Sequence, residues 1–391
     1  MLTTEVKNQV LHALYDKIEK NRTGILNKNK IDIDNYRGKD LSMLDRLKVD
    51  DVKVDGMLQS IQEAIAIEDP EGRLLYRHIH DNGLEISNKT VAFGTVLIIY
   101  ESRPDVTIEA AIAAFKSGNK ILLKGGKEAI ETNIFLHTLW EEALRDARVD
   151  VGYVKLLRLS REETQSFISN PPEPVDLIIP RGGERLIEFV KKNSSVPVIV
   201  SGRGNNFLYV DESADMDMSR NVILNGKSRI SVCNALDKVI VHEKRRSDLD
   251  GLFQFLKKNG VQVIRDSTFG ERSDIDTDQQ EEVMRQEFLD YRMVFSLASS
   301  MEKAIADINE FSGGHSASIM TEDNDRAEFF ISHVDSAAVY HNASTRFTDG
   351  GQFGMAGEMA ISTQKLHFRG PISISQLVTN KWVIRGNGQI R

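Results

Sequence analysis

The chain has 391 residues, 40% hydrophobic and 28% charged, with eight prolines and a formal net charge of −8. This length exceeds what one hydrophobic core supports and predicts two or three domains, while the composition excludes disordered and collagen-like classes. The acidic balance argues against a nucleic-acid partner, and the longest apolar run, Val91 to Tyr100, is well short of the roughly 18 residues of a membrane span.

In chain order, the stretch up to about Asp69 reads as helical. Val6, Val10, Leu11, Leu14 and Ile18 share one face, and Leu44, Leu47, Met57, Leu58, Ile61 and Ile65 share another. Met1 to Val10 carries Glu5 and Lys7 and leads into an amphipathic helix, so no signal peptide is expected there. Leu74 to Ser87 alternates around Asp81-Asn82-Gly83 and reads as a β-hairpin, either an arm that pairs with another chain or an internal edge. From Thr95 the order is strand, helix, strand: Thr95 to Tyr100, Val106 to Lys116, Lys120 to Lys124, a helix to about Arg145, and strands at Tyr153 to Leu159 and Val175 to Ile179. A helix over Glu184 to Lys192 follows. Such alternation predicts a parallel sheet covered on both faces, with ligands at the carboxyl ends of its strands.

A second α/β unit is expected beyond residue 232. Its strands are read at Lys238 to His242, Val261 to Ile264, Met293 to Leu297, Ser316 to Met320 and Ala337 to His341, with a helix over Arg246 to Asn259. Gln376 to Ile384 and Gln389 flank Gly386-Asn387-Gly388 and read as a second hairpin.

Cys233 is the single cysteine. It cannot form an internal disulfide, which fits a reducing compartment and predicts a cytoplasmic protein. As a thiolate it would be a nucleophile, and Lys227 and Arg229 upstream could stabilise that form; as a buried thiol it would be a small hydrophobe. Two glycine-bearing turns follow strands and open helices, Lys124-Gly125-Gly126-Lys127 and Arg181-Gly182-Gly183. Both can present backbone N–H groups to a phosphate or serve as plain helix-opening turns. His78 and His80 share a strand face without a third ligand of suitable spacing, so no metal site is expected. Asn342 to Gly370 is rich in Gly, Ser and Thr, as befits a loop that carries binding groups on a rigid scaffold.

The segments Tyr100-Glu101-Ser102-Arg103-Pro104-Asp105-Val106, Leu123-Lys124-Gly125-Gly126-Lys127-Glu128, Ile179 to Gly183, Val232-Cys233-Asn234 and Val334 to Gly354 together resemble the gamma-glutamyl phosphate reductase family. That family is a branch of the aldehyde dehydrogenase superfamily, and the resemblance runs nearly the full length in the right order. It implies an aldehyde dehydrogenase-like α/β fold of two α/β domains with mostly parallel sheets plus a β-hairpin oligomerisation element. The expected division is a dinucleotide-binding domain at 1–71 and 94–231, a catalytic domain at 232–365, and oligomerisation hairpins with a return to the cofactor domain at 72–93 and 366–391.

The resemblance also implies NADPH-dependent reduction of L-glutamate 5-phosphate to L-glutamate 5-semialdehyde in proline biosynthesis, through a thioester on Cys233. It further implies a homodimer or homotetramer and a transient contact with glutamate 5-kinase. Lys124, Lys127, Gly182, Gly183 and Glu287 are the expected cofactor-binding residues, and Arg103, Asn234 and Arg346 the expected substrate-binding residues. Lys127 stands where NAD-dependent relatives commonly place a glutamate, which favours NADPH. Val200-Ser201-Gly202 lacks the general-base glutamate of thioester-hydrolysing relatives, and Ala317 replaces an acidic residue of the family pattern. The rival readings are a reductase or dehydrogenase for another acyl phosphate or semialdehyde and a non-catalytic partner that kept the fold.

Overall fold

The computed structural model describes residues 2–38, 41–230 and 232–391, and the chain forms two compact units. Unit 1 comprises Met1–Val200, Gly354–Ala360 and Ile372–Arg391; unit 2 comprises Ser201–Phe353 and Ile361–Pro371.

Unit 1 begins with four helices, α1 (Thr4–Lys20), α2 (Arg22–Asn35), α3 (Leu41–Leu47) and α4 (Asp51–Ala66). They are followed by β1 (Leu74–Ile79), β2 (Glu85–Ala92), β3 (Thr95–Tyr100), α5 (Asp105–Lys116), β4 (Lys120–Lys124) and α6 (Ile130–Asp146). The last elements before the chain leaves the unit are β5 (Val154–Leu156), α7 (Arg161–Ser169), β6 (Leu177–Arg181) and α8 (Glu184–Asn193). Val10, Leu11, Leu14 and Ile18 are buried on one face of α1, as their spacing requires. Only Glu109 of α5 escapes full burial, which is why that helix is apolar on nearly every side. The strands β5-β4-β3-β6 form a four-stranded parallel sheet. Helix α7 is absent from the sequence reading; its start is set by a capping box between Ser160 and Glu163.

Unit 2 contains β7 (Asn206–Val210), α9 (Met216–Gly226), β8 (Leu236–His242), α10 (Leu249–Lys258), β9 (Gln262–Arg265), α11 (Gln280–Arg285) and β10 (Arg292–Ala298). It continues through α12 (Met301–Phe311), β11 (Ser316–Met320), α13 (Asn324–His333) and β12 (Ala338–His341). Six strands in the order β12-β11-β7-β8-β10-β9 make one parallel sheet. Every residue of β7, β8 and β11 is buried, the signature of strands covered on both faces. A two-stranded ribbon, β13 (Ala360–Ser362) with β14 (Gly370–Ile372), precedes the last strand, β15 (Val378–Arg385).

Two expectations need correction. The units part at 200/201 and not at 231/232, because β7 and α9 belong to unit 2: β7 lies between β11 and β8 in the middle of the six-stranded sheet. The C-terminal segment does not fold back on itself as a hairpin. Instead β15 pairs with β2 from Val378↔Ala92 to Arg385↔Glu85, giving the three-stranded antiparallel sheet β1-β2-β15. The partner of β15 runs uninterrupted along one side of it and is nonlocal, so no local turn signal could announce it.

The start of unit 1 is tied down by a buried charge. Lys7 has no exposed side-chain surface and its Nζ lies 2.9 Å from both Asp69 Oδ2 and Glu71 Oε2. Removing the cation leaves two largely buried carboxylates facing each other, so Lys7→Ala should cost about 3–5 kcal/mol of stability. Urea unfolding measures it, and an unshifted midpoint would refute it.

Candidate active site

Cys233 lies between α9 and β8 and is half-buried. Its turn closes where the Ala235 N–H donates to the Val232 carbonyl at 3.1 Å. The chain entering β7 runs against this turn so closely that a Cβ on Gly204 would lie 2.1 Å from the Cys233 carbonyl oxygen, so only glycine fits. Asn206, with 0% exposure, then clamps the turn. Its Nδ2 lies 3.0 Å from the Gly204 oxygen, 2.8 Å from that of Cys233 and 2.7 Å from that of Ala235.

Asn234 continues the clamp in the other direction. Its Nδ2 donates to the carbonyls of Arg346 at 3.1 Å and Thr348 at 3.0 Å, and its own carbonyl accepts from Thr345 Oγ1 at 2.9 Å. The amide protons expected to face substrate therefore hold the Arg346 loop, while its buried Oδ1 has no hydrogen-bond partner among the described residues. The loop is pinned from behind as well: Thr348 Oγ1 lies 2.7 Å from both Ser316 Oγ and Tyr340 OH, and Ser316 Oγ lies 2.7 Å from His315 Nδ1. Burial pushes the His315 imidazole down to about 4, so this network runs through a neutral ring at ordinary pH.

Of the two cations expected to assist the thiol, Lys227 is not available. It is buried and ion-paired with Asp237, whose other oxygen accepts from the Phe288 N–H at 3.0 Å. Arg229 is exposed and makes no ion pair among the described residues. Arg346 is half-buried and held below the ordinary guanidinium range, first by burial and then by the charge of Arg229, with Asp349 and Cys233 acting the other way. Glu287 accepts from the Gly204 N–H, which places this carboxyl beside the Cys233 turn. Burial first, and Asp237 second, push it up to about 7.

The remaining predicted residues belong to unit 1. Lys124 ends β4 and turns its ammonium onto the Gly125 carbonyl at 2.7 Å; burial holds its pKa down. Lys127 is exposed and makes no ion pair among the described residues. At Gly125 a Cβ would lie 2.3 Å from Asn133 Nδ2, and at Gly182 one would lie 2.8 Å from the Glu101 carboxyl carbon. The Gly183 N–H at the start of α8, expected to face a phosphate, donates instead to Glu101 Oε2 at 3.1 Å. Arg103 is paired with Asp105 at 2.9 Å; burial opposes its charge, but Asp105, Glu109 and Glu358 together raise its pKa. Burial and Asp105 push Glu109 up to about 6, against Arg103 and Arg181.

The structure thus gathers Cys233, Asn234, Glu287 and Arg346 into one constellation in unit 2, and places Arg103, Lys124, Lys127, Gly182 and Gly183 in unit 1. Sequence reasoning missed Asn206, Thr348 and Glu101. The one available signal was the pair Asn205-Asn206 opening an apolar strand, since buried amides at such a place need backbone partners.

The "Aldehyde dehydrogenase family" profile matches residues 66–270. Among solved structures, gamma-glutamyl phosphate reductase from Thermotoga maritima superposes with a TM-score of 0.94 at 38% identity, covering 100% of this chain and 95% of that chain. Among curated proteins, gamma-glutamyl phosphate reductase of Halothermothrix orenii is 39% identical over 399 residues, covering 100% of this chain and 94% of the relative. The Streptococcus suis protein of that name is 40% identical over 393 residues, with 100% and 95% covered. The chain belongs to the aldehyde dehydrogenase family, and within it to the gamma-glutamyl phosphate reductase family. It is therefore an enzyme, an oxidoreductase, with the fold its motifs implied.

Asn206→Ala would strip three carbonyls of a shared donor and should cost about 2–3 kcal/mol. It should also loosen the Cys233 turn. Thermal melting reads the first effect and the alkylation rate of Cys233 the second; an unchanged melting temperature with unchanged alkylation would disprove the clamp.

Proposed function

We propose that this enzyme reduces L-glutamate 5-phosphate to L-glutamate 5-semialdehyde at the expense of NADPH, releasing phosphate, as the second step of proline biosynthesis. The observation that carries the reading is the Cys233 constellation: a half-buried thiol on a clamped turn, with the Arg346 guanidinium electrostatically next to it. The shared name of the relatives supports the substrate.

In this reading the Cys233 sulfur attacks the acyl carbon, forms the S–C bond and expels phosphate, leaving a thioester. The Cys233 N–H serves as an oxyanion donor, in a position that the Asn206 clamp holds ready before the reaction begins. Val200-Ser201-Gly202 offers no carboxylate to activate water, so the thioester survives until it is reduced. NADPH, when bound, supplies the hydride for that reduction.

Lys124, Lys127, Gly182, Gly183 and Glu287 are the residues that would hold the cofactor. The fit is favourable at Lys127, an exposed cation without a carboxylate partner among the described residues, which suits a 2′-phosphate. At Gly183 the N–H is already taken by Glu101, so that carboxylate would have to move for a phosphate to use the same group.

The sheet β1-β2-β15 supports the oligomeric part of the reading. Every residue of β1 is exposed, including Leu75 and Ile79, and β15 exposes Trp382 and Ile384. An apolar edge strand is an aggregation hazard unless something covers it. A second copy of this chain would do so, giving the homodimer or homotetramer. Sedimentation of the wild type should show a dimer or larger, and Leu75→Asp with Ile79→Asp should shift it toward monomer; a monomeric wild type would end this proposal.

The reaction itself is tested in reverse. Purified protein with glutamate 5-semialdehyde, inorganic phosphate and NADP should form NADPH in a phosphate-dependent manner, faster than NADH forms from NAD. Cys233→Ala should lower the rate by at least about a thousandfold, as loss of a nucleophile does. Turnover without phosphate would mean that water resolves the thioester, and retained turnover by Cys233→Ala would remove the nucleophile from the scheme.

A further inference from the structure

The strand that follows Cys233 breaks the regular ladder. Asn206 of β7 stands opposite Leu236 of β8 and Phe207 stands opposite Lys238, so Asp237 is an extra residue between them. A bulge of this kind re-aims a side chain out of the strict alternation of a strand. Here two consecutive residues of β8 grip the same short segment, Gln286 to Phe288. The Phe288 N–H donates to Asp237 Oδ2 at 3.0 Å, and Lys238 Nζ donates to the Gln286 carbonyl at 2.7 Å. The Lys238 ammonium also lies 4.1 Å from the centre of the Phe288 ring, and the Arg292 guanidinium lies 4.6 Å from it. Between the two gripped residues stands Glu287, whose carboxyl accepts from the Gly204 N–H beside the Cys233 turn.

A lysine is a costly choice for that place. Lys238 has 0% exposure and makes no ion pair among the described residues, because the Asp237 carboxylate is taken by Lys227 and the Phe288 N–H. An ammonium held by a neutral carbonyl and an aromatic ring gives up its hydration without gaining a counter-ion in contact. Burial above all, with Lys227 and Arg292 in the same direction and Asp237 and Glu287 against, holds Lys238 down at about 7. An apolar side chain of similar volume would fill the space without that penalty. It would not hold the Gln286 carbonyl, and it would not supply the positive charge that favours the ionised form of Glu287.

Resting on the reading that Glu287 holds the nicotinamide cofactor, we propose that Lys238 is the positioning residue for Glu287. Its bond to Gln286 and its seat on Phe288 fix the segment on both sides of that carboxyl. Lys238 is wholly buried and acts through Glu287, so removing it weakens the cofactor's hold without removing a group that binds it.

The test is calorimetric titration of NADP into the wild type, Lys238→Met, Glu287→Gln and the double variant, which needs no turnover. Lys238→Met should weaken binding about tenfold, the effect of losing one hydrogen bond to a charged group. The double variant should bind no more weakly than Glu287→Gln alone, because the two residues act as a unit. The pH dependence supplies a second readout. The charged groups that bear on Glu287 are Asp237, which pushes its pKa up, and Arg203 and Lys238, which bring it down, and the carboxyl stands at about 7. With the lysine gone, the inflection that Glu287 gives to NADP binding should move to higher pH, whereas loss of a side chain that merely fills space would leave it in place. Lys238→Gln keeps an N–H donor and loses the charge. It should recover part of the affinity yet show the same upward move, and it carries the test should the methionine variant misfold. An unchanged NADP affinity in Glu287→Gln would overturn the cofactor reading of Glu287 and this proposal with it. Weakened binding by Glu287→Gln, together with wild-type affinity in the Lys238 variants, additive losses in the double variant or an unmoved inflection, would overturn the positioning role alone.

Discussion

One side-chain nitrogen, Asn206 Nδ2, lies within hydrogen-bonding reach of three backbone carbonyls, those of Gly204, Cys233 and Ala235. The geometry of the constellation in unit 2 depends on that contact. It joins the start of β7 to the turn before β8, two segments far apart in sequence, and it needs the missing side chain at Gly204 to do so. A residue on a loop is otherwise a mobile group. Here its carbonyl is fixed by a fully buried amide, and the strands on either side belong to the interior of a parallel sheet.

From that fixed point the positioning spreads outward through polar groups. Asn234 carries it to the Arg346 turn, and Thr348, Ser316, Tyr340 and His315 hold that turn from the other side. The bonds of such a buried network hold their turn firmly, because a lost bond inside the protein is not replaced by water. Glu287 is attached to the same point through the Gly204 N–H, so a titratable carboxyl near neutrality and the thiol share one backbone segment. The arrangement concentrates ionisable groups of opposite habit in a small volume, as reactive sites do.

The distribution of charge is equally selective. Cations with a structural task are neutralised by carboxylates: Lys7 by Asp69 and Glu71, Lys227 by Asp237, Arg326 by Asp211. Arg229, Arg346 and Lys127 have no such partner among the described residues, and they are found where an anionic substrate or cofactor is expected. The exception is the start of α8, where Glu101 already sits at the N–H that a phosphate would use. A carboxylate in that position is an internal competitor for the same hydrogen bond.

Strands β3, β4 and β11 and helix α5 were legible because each is a short apolar run bounded by Gly, Pro or polar residues, and that pattern is local. The lone cysteine and its flanking motifs carried the family likewise. What the sequence could not convey is partnership between distant segments. Asn-Asn-Phe-Leu-Tyr-Val reads only as a short polar-to-apolar stretch until β8 and β11 flank it, and β15 looks like half of a hairpin until β2 accepts it. Lys227 and Arg229 are equivalent in a sequence and opposite in the fold, since one meets Asp237 and the other does not. Residue type and spacing alone determined the chemistry available to this protein and the class of fold. Which cations stay free, which amides become clamps and where the two units part were decided only in three dimensions, because each depends on a contact whose energy exists only after distant segments have met.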